Sequence, residues 1–114
     1  MTPIQLPTQL TNAVLSEAAA LIADSVNWTK KTLARDAEGN RVDPCDPHAA
    51  CWCTMGAIER VLGGDKKTLA IVEYGLEQRL HARSGLDPEI FTVANFNDDA
   101  TTSHADVMEL LRAG

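Results

Sequence analysis

Apolar residues recur at helical spacing in four stretches, and these four dictate most of what the chain is expected to form. In the first, Thr8 to Ser25, residues Leu10, Val14, Ala18, Leu21 and Ile22 fall on one side of a helix, while Asn12, Glu17 and Asp24 fall elsewhere. Thr8 is placed to cap this helix, and Pro7 blocks its backward extension. The second stretch follows Asp46-Pro47, a capping residue with proline at the first helical position. It is expected to run to Leu62 and stop at Gly63-Gly64. Asp65 then caps a third helix with the stripe Leu69, Val72, Leu76 and Leu80, ending near Ser84-Gly85. The last begins at Ser103, has Asp106 in a capping-box position and turns Val107, Leu110 and Leu111 inward.

Between the first two helices the pattern changes. Asp36-Ala37-Glu38-Gly39-Asn40 separates two short extended candidates, Thr32 to Arg35 and Arg41 to Val42. Gly39 and Asn40 tolerate positive φ, so this stretch predicts a β-hairpin. Pro88 to Phe96 fits either a short helix or an extended piece, and Asn97-Asp98-Asp99 opens a loop. The expected fold is mainly α (α+β): a compact four-helix domain with a small β-hairpin between the first and second helices. Residues 1–114 are expected to form a single domain.

Composition narrows the function classes. Of 114 residues, 45% are hydrophobic and 23% charged, the balance of a globular chain rather than a disordered one. A net charge of −6 counts against a general nucleic-acid binder, which needs a basic surface. No apolar run reaches the roughly 18 residues that cross a bilayer. The opening MTPIQLPTQL lacks a basic region followed by an apolar block. A cytoplasmic protein with reduced thiols and no membrane partner is therefore expected. Three cysteines, an odd count, fit a disulfide framework poorly.

All three cysteines lie in Cys45 to Ala57, CDPHAACWCTMGA, together with His48. Cys45, His48, Cys51 and Cys53 are of the types that hold zinc. On a helix running from Pro47, however, Cys51 and Cys53 point about 200° apart and cannot share one ion. No metal and no cofactor are expected. As a nucleophile, Cys53 would need a base or orienting group, and His104, His81, Asn97 and Asp98 are the candidates. On that same helix both Cys51 and Cys53 sit past the first turn, where the dipole lowers a thiol pKa most. Packing explains more residues. Cys51, Met55, Ile58 and Leu62 share one face, and Ala49, Cys53, Gly56 and Arg60 line a second, mostly small seam. Glycine inside a helix costs about 1 kcal/mol against alanine, so Gly56 implies that another backbone passes close by.

Four short motifs stand out: Trp28-x5-Ala34-Arg35-Asp36-Ala37-x-Gly39, then Trp52-Cys53-x-x-Gly56-Ala57, then Asn97-Asp98, then a serine-capped helix. Together they resemble an uncharacterised family of small proteins from actinobacteria, other bacteria and their phages. The resemblance runs from about Trp28 to the C-terminus. It implies a small α-rich domain and no known activity. Where the family has Trp-Asn-Asp this chain has Phe96-Asn97-Asp98, and Cys53 is the one cysteine within the family motifs. The resemblance also groups Arg35, Asp36, Trp52, Cys53, Asn97 and Asp98. These residues either line a polar pocket beside a thiol or only shape loops. In the second case Arg35 pairs with Asp98 or Asp36, and Asn97 makes an Asx-turn. Trp28 and Trp52 are expected as core aromatics.

Small size, acidic charge, the lack of a defined catalytic motif and the phage-associated resemblance lead to one functional expectation. The chain is expected to be a small non-catalytic interaction protein, of a kind phages encode, that regulates or inhibits a host protein partner. An anti-defence inhibitor is one example, acting in the cytoplasm of a bacterial host cell. Arg35, Asp36, Trp52, Asn97 and Asp98 are its candidate binding residues. The alternatives are a cysteine-dependent enzyme centred on Cys53 and a metal-stabilised small domain.

Overall fold

A computed structural model describes residues 7–85 and 92–112. Among the described residues it is mainly helical, with five α-helices and a small antiparallel pair of strands between the first two. Helix α1 spans Pro7–Leu21. Its inward positions Thr11, Val14, Leu15, Ala18 and Ala19, with Ile22 just beyond, repeat at three- and four-residue spacing and are buried. Proline occupies the first helical position, so Thr8 lies inside the helix rather than capping it. The helix also stops short of Ser25. Asp24 adopts extended geometry and accepts the Val26 N–H, which opens a single 3-10 turn over Ser25–Asn27.

The hairpin turn at Asp36–Asn40 forms as the sequence predicts. Asp36 N–H donates to Asn40 O, Val42 N–H donates to Ala34 O, and Arg35 and Arg41 bridge across the turn. The main pairing lies elsewhere. Strand β1, Ala34–Asp36, uses its other edge to pair with β2, Ala49–Trp52, placing Ala34 opposite Trp52 and Arg35 opposite Cys51. Residues expected as the first half of a helix are therefore a strand. Asp46 does accept the His48 N–H at 2.7 Å, but this closes only an isolated turn after Pro44. The chain then enters the ladder, where Trp52 is buried and its indole N–H reaches Pro44 O at 2.9 Å. Long-range pairing outweighs the local capping signal.

Helix α2 accordingly spans Thr54–Leu62 and is capped by Cys53, whose Sγ accepts the Gly56 N–H at 3.3 Å. It ends at Gly63 in the left-handed region, φ 62°, as the Gly63-Gly64 pair predicts. Helix α3, Lys66–Ser84, is capped by Asp65 at one end and Gly85 at the other, and buries Val72, Leu76 and Leu80. Helix α4, Val93–Asp98, is short and begins after a Thr92 cap. It resolves the later part of the 88–96 ambiguity as helix, while 88–91 lies outside the described residues. It also places Asn97-Asp98 at a helix end rather than in a loop. Helix α5, His104–Arg112, carries the reciprocal capping box: Ser103 N–H donates to Asp106 and Asp106 N–H donates to Ser103.

One hydrophobic core runs through these elements. Val14, Leu15 and Ile22 of the first helical segment meet Ile58 of α2, Val72, Leu76 and Leu80 of α3, Val93 of α4 and Val107, Leu110 and Leu111 of α5. Arg79 reaches across this core edge to donate to the Leu110 and Leu111 carbonyls and to Asn12, satisfying the open end of α5. The inference drawn from Gly56 holds in detail. A Cβ there would lie 1.9 Å from the Leu33 carbonyl oxygen. The segment entering β1 therefore passes directly over the first turn of α2.

Candidate functional site

Of the motif residues, Trp28, Asn97 and Asp98 meet directly, and Asn97 joins them. Its carboxamide is 1% exposed. Oδ1 accepts from the Trp28 indole N–H at 2.7 Å, the Thr54 N–H at 3.0 Å and the Thr54 hydroxyl at 2.7 Å. Nδ2 donates to Thr29 O at 3.1 Å and to Asp98 Oδ1 at 3.0 Å. One side chain thus ties three segments together: the irregular stretch leading into β1, the start of α2 and the end of α4. The Asx-turn expected for Asn97 does not describe this. Asp98 continues the tie by accepting the Lys31 N–H at 2.8 Å, which holds Lys31 at φ 73°. Lys30 places its ammonium over Trp28 and donates to Asp99 O and Thr102 O, fastening the turn after α4.

Arg35 makes neither of the expected ion pairs. Its guanidinium donates to the Thr29 hydroxyl and to the carbonyls of Lys30 and Gly39, so it braces two loops. Asp36 accepts the N–H groups of Glu38 and Asn40. Those bonds, with Asn40's the largest contribution, hold its carboxyl below the usual range. Trp52 is a core aromatic, and Arg60 stacks on its ring while donating to Pro44 O and Asp46 O. Trp28 is only half-buried, its indole N–H directed to Asn97. These placements give Arg35, Asp36, Trp52 and Asn97 architectural partners.

Cys53 sits beside a cavity of about 380 Å³. Leu33, Met55, Leu69 and Ala94 form apolar parts of its wall, and Glu59, Glu73, Asn97 and Asp98 form polar ones. The thiol is buried, and burial pushes its pKa up. The N–H groups of Gly56 and Met55 oppose that rise, while the negative charges of Asp98 and Glu59 add to it. At neutral pH Cys53 is therefore held as the neutral thiol, the weaker nucleophile. His104 is engaged elsewhere. Its Nε2–H donates to Ile22 O at 2.7 Å, closing the end of α1, and its ring lies 5.8 Å from that of Trp28. Sequence reasoning gave His104 no such partner, because Ile22 is 82 residues away.

The four zinc-type side chains are separated by their own contacts. Cys45 is exposed and directs its thiol to Glu59 O, and His48 pairs with Asp46. Cys51 approaches Arg35 O, and Cys53 caps α2. Among the described residues no three His, Cys, Asp or Glu side chains come together as a metal-ligand set. Likewise no described helix is long and apolar enough to cross a membrane.

A family model, described as a family of unknown function (DUF6197), matches residues 6–114. The chain belongs to DUF6197. No curated protein and no solved structure matches it. For this DUF6197 member the structure adds residues that no motif reading singled out. Thr54 and Thr29 supply the partners of Asn97, Lys30 and Lys31 anchor α4, and Glu59 and Glu73 border the Cys53 cavity. A second concavity, about 770 Å³, lies between α1 and α3 and is lined by Thr11, Ile71, Tyr74, Gly75, Gln78 and neighbours.

Proposed function

We propose that this DUF6197 protein is a small non-catalytic interaction protein that engages a protein partner through the outer face of α3. The observation that carries this reading is a second apolar strip on that helix. Val72, Leu76 and Leu80 face the core, yet Ala70, Ile71, Tyr74 and Ala82 face the groove against α1. Tyr74 is 67% exposed and Ile71 43%. Exposed aromatic and branched side chains beside a concave apolar surface are what protein interfaces use as anchors. The polar motif residues, by contrast, are engaged with backbone, and Cys53 is held as a thiol, which favours binding over nucleophilic chemistry. Regulation or inhibition of a host protein, in the manner of a phage anti-defence inhibitor, is the form of this reading that fits a small acidic chain.

The test is quantitative affinity capture from bacterial lysate, with and without phage infection, using the full chain and an Ile71→Asp/Tyr74→Asp variant. The reading expects one protein retained near stoichiometrically by the native chain and lost by the variant, with the thermal midpoint unchanged. A partner retained equally by both, or no partner for the native chain in either lysate, contradicts it. The cysteine-enzyme reading separates from it by thiol labelling at neutral pH: rapid modification of Cys53 in the folded chain would revive it.

A further inference from the structure

The groove between α1 and α3 leaves apolar side chains in water on a face that the core does not use. The segment before α1, Met1 to Leu6, lies outside the described residues and joins the helix at Pro7, one turn from the groove wall at Thr11. We propose that this segment docks in the groove as an intrachain strap, with Ile4 and Leu6 against Ile71 and Tyr74.

The segment is long enough. Thr11 lies about 6 Å along the helix axis beyond Pro7, and the opposite wall, from Ala70 to Ala82 of α3, extends about 18 Å. Six extended residues span about 20 Å, enough to run along that wall. The groove is also a fixed feature of the fold. A Cβ at Gly75 would come 2.8 Å from the Thr11 methyl, so α1 and α3 touch there and splay to either side.

The two surfaces match in charge. Glu17 is the first charged residue of the chain, so residues 1–16 carry no charged side chain, although 23% of all residues are charged. Arg79 is the one charged residue among the described groove residues. Its guanidinium is committed to Asn12 and to the Leu110 and Leu111 carbonyls. An uncharged occupant therefore leaves no charge unpaired. A second copy would instead bring net charge −6 against its like.

The prolines supply the shape. Pro3 and Pro7 bias Thr2 and Leu6 toward extended geometry. In an extended segment Ile4 and Leu6 project to one side and Gln5 to the other, so two apolar side chains face the groove while the amide faces water. Burying two branched side chains and ordering the residues that carry them are opposing free energies of similar size, so the strap is docked about half the time. A strap so balanced shields Tyr74 at little consequence for global stability. A partner engaging the outer face of α3 displaces it; that step rests on the proposed partner, whereas the docking does not.

The test is a carbon-edited NOE spectrum of the isotopically labelled full chain, recorded beside the Ile4→Ser/Leu6→Ser and Tyr74→Ser variants. Contacts from the Ile4 and Leu6 methyls to the Tyr74 ring are expected in the native chain and should persist on dilution. The double variant should shift the Tyr74 ring and Ile71 methyl signals, and Tyr74→Ser should shift those of Ile4 and Leu6. Unmoved Leu15 and Leu110 methyl signals show that each variant keeps its core. Contacts that form only between labelled and unlabelled chains of a mixed sample assign the groove to a second copy and overturn the strap. Absent contacts, with Tyr74 signals identical in the native chain and the double variant, overturn it too and leave the groove open for a foreign partner. All of these readouts use the purified chain, so a failed search for a partner leaves the strap standing, and a failed strap leaves the partner standing.

Discussion

The surroundings of Asn97 and the outer face of α3 treat their side chains in opposite ways. Around Asn97, five hydrogen bonds satisfy one buried carboxamide: two to the adjacent Trp28 and Thr29, two to Thr54 at the start of α2 and one to its neighbour Asp98. On α3, Tyr74 and Ile71 keep apolar surface in water beside an open groove. The first region is closed upon itself and explains why Trp28, Asn97 and Asp98 come together in space. The second has surface to offer a partner and lies outside every motif quoted above. In this chain, then, the polar motif residues find partners within the fold, and the proposed binding surface lies on a helix face that no motif marks.

Substitutions in the two regions should differ accordingly, and the largest effect is expected at Gly56. Alanine there drives a Cβ into the Leu33 carbonyl, which is backbone and cannot rotate away. Gly56→Ala is expected to destabilise by about 3 kcal/mol or more, read from urea unfolding. Asn97→Ala comes next. It leaves the Trp28 indole N–H and both Thr54 donors without their acceptor, for a loss of about 2–3 kcal/mol.

Cys53 gives a smaller and more discriminating contrast. Cys53→Ala removes the cap on the Gly56 N–H and should cost about 1 kcal/mol, whereas Cys53→Ser keeps an acceptor there and should stay near the native value. On the other side of the comparison, Tyr74→Ser should change stability by less than about 0.5 kcal/mol while weakening any partner. A pH series adds a check independent of mutation. Asp36, Asp65, Asp99 and Asp106 are all held below the usual carboxylate range by hydrogen bonds to turns and caps. Their contribution is present above the unfolded carboxylate pKa and is lost as pH falls through the lower folded values. Glu73 runs the other way. Its carboxyl is raised, so its ionisation weakens the fold as pH rises through the folded value, and Glu73→Gln should remove that small loss.

What the sequence revealed follows the range of the interactions involved. The Asp65 and Gly63 caps, the Ser103–Asp106 box and the core stripes of α3 and α5 are local, and each is legible from neighbours three or four residues away. Gly56 was legible for another reason: a helical glycine signals crowding without naming the neighbour. Asn97 was not, because its partners Trp28, Thr29 and Thr54 lie 43 to 69 residues away and come together only when α4 docks. The strand at Ala49–Trp52 failed for a related reason. Asp46-Pro47 starts a turn as readily as a helix, and only pairing with Ala34–Asp36 decides which. The cavity beside Cys53 combines residues from three helices, the α2 cap and the loop before β1, so no single stretch of sequence displays its charge.

The central claim, that the motif residues build the fold rather than perform chemistry or contact a partner, is tested most directly by equilibrium urea unfolding of Asn97→Ala beside the native chain. The account predicts a lower midpoint at unchanged slope, equivalent to about 2–3 kcal/mol. A variant as stable as the native chain would contradict it and return Asn97 to the list of binding or catalytic residues.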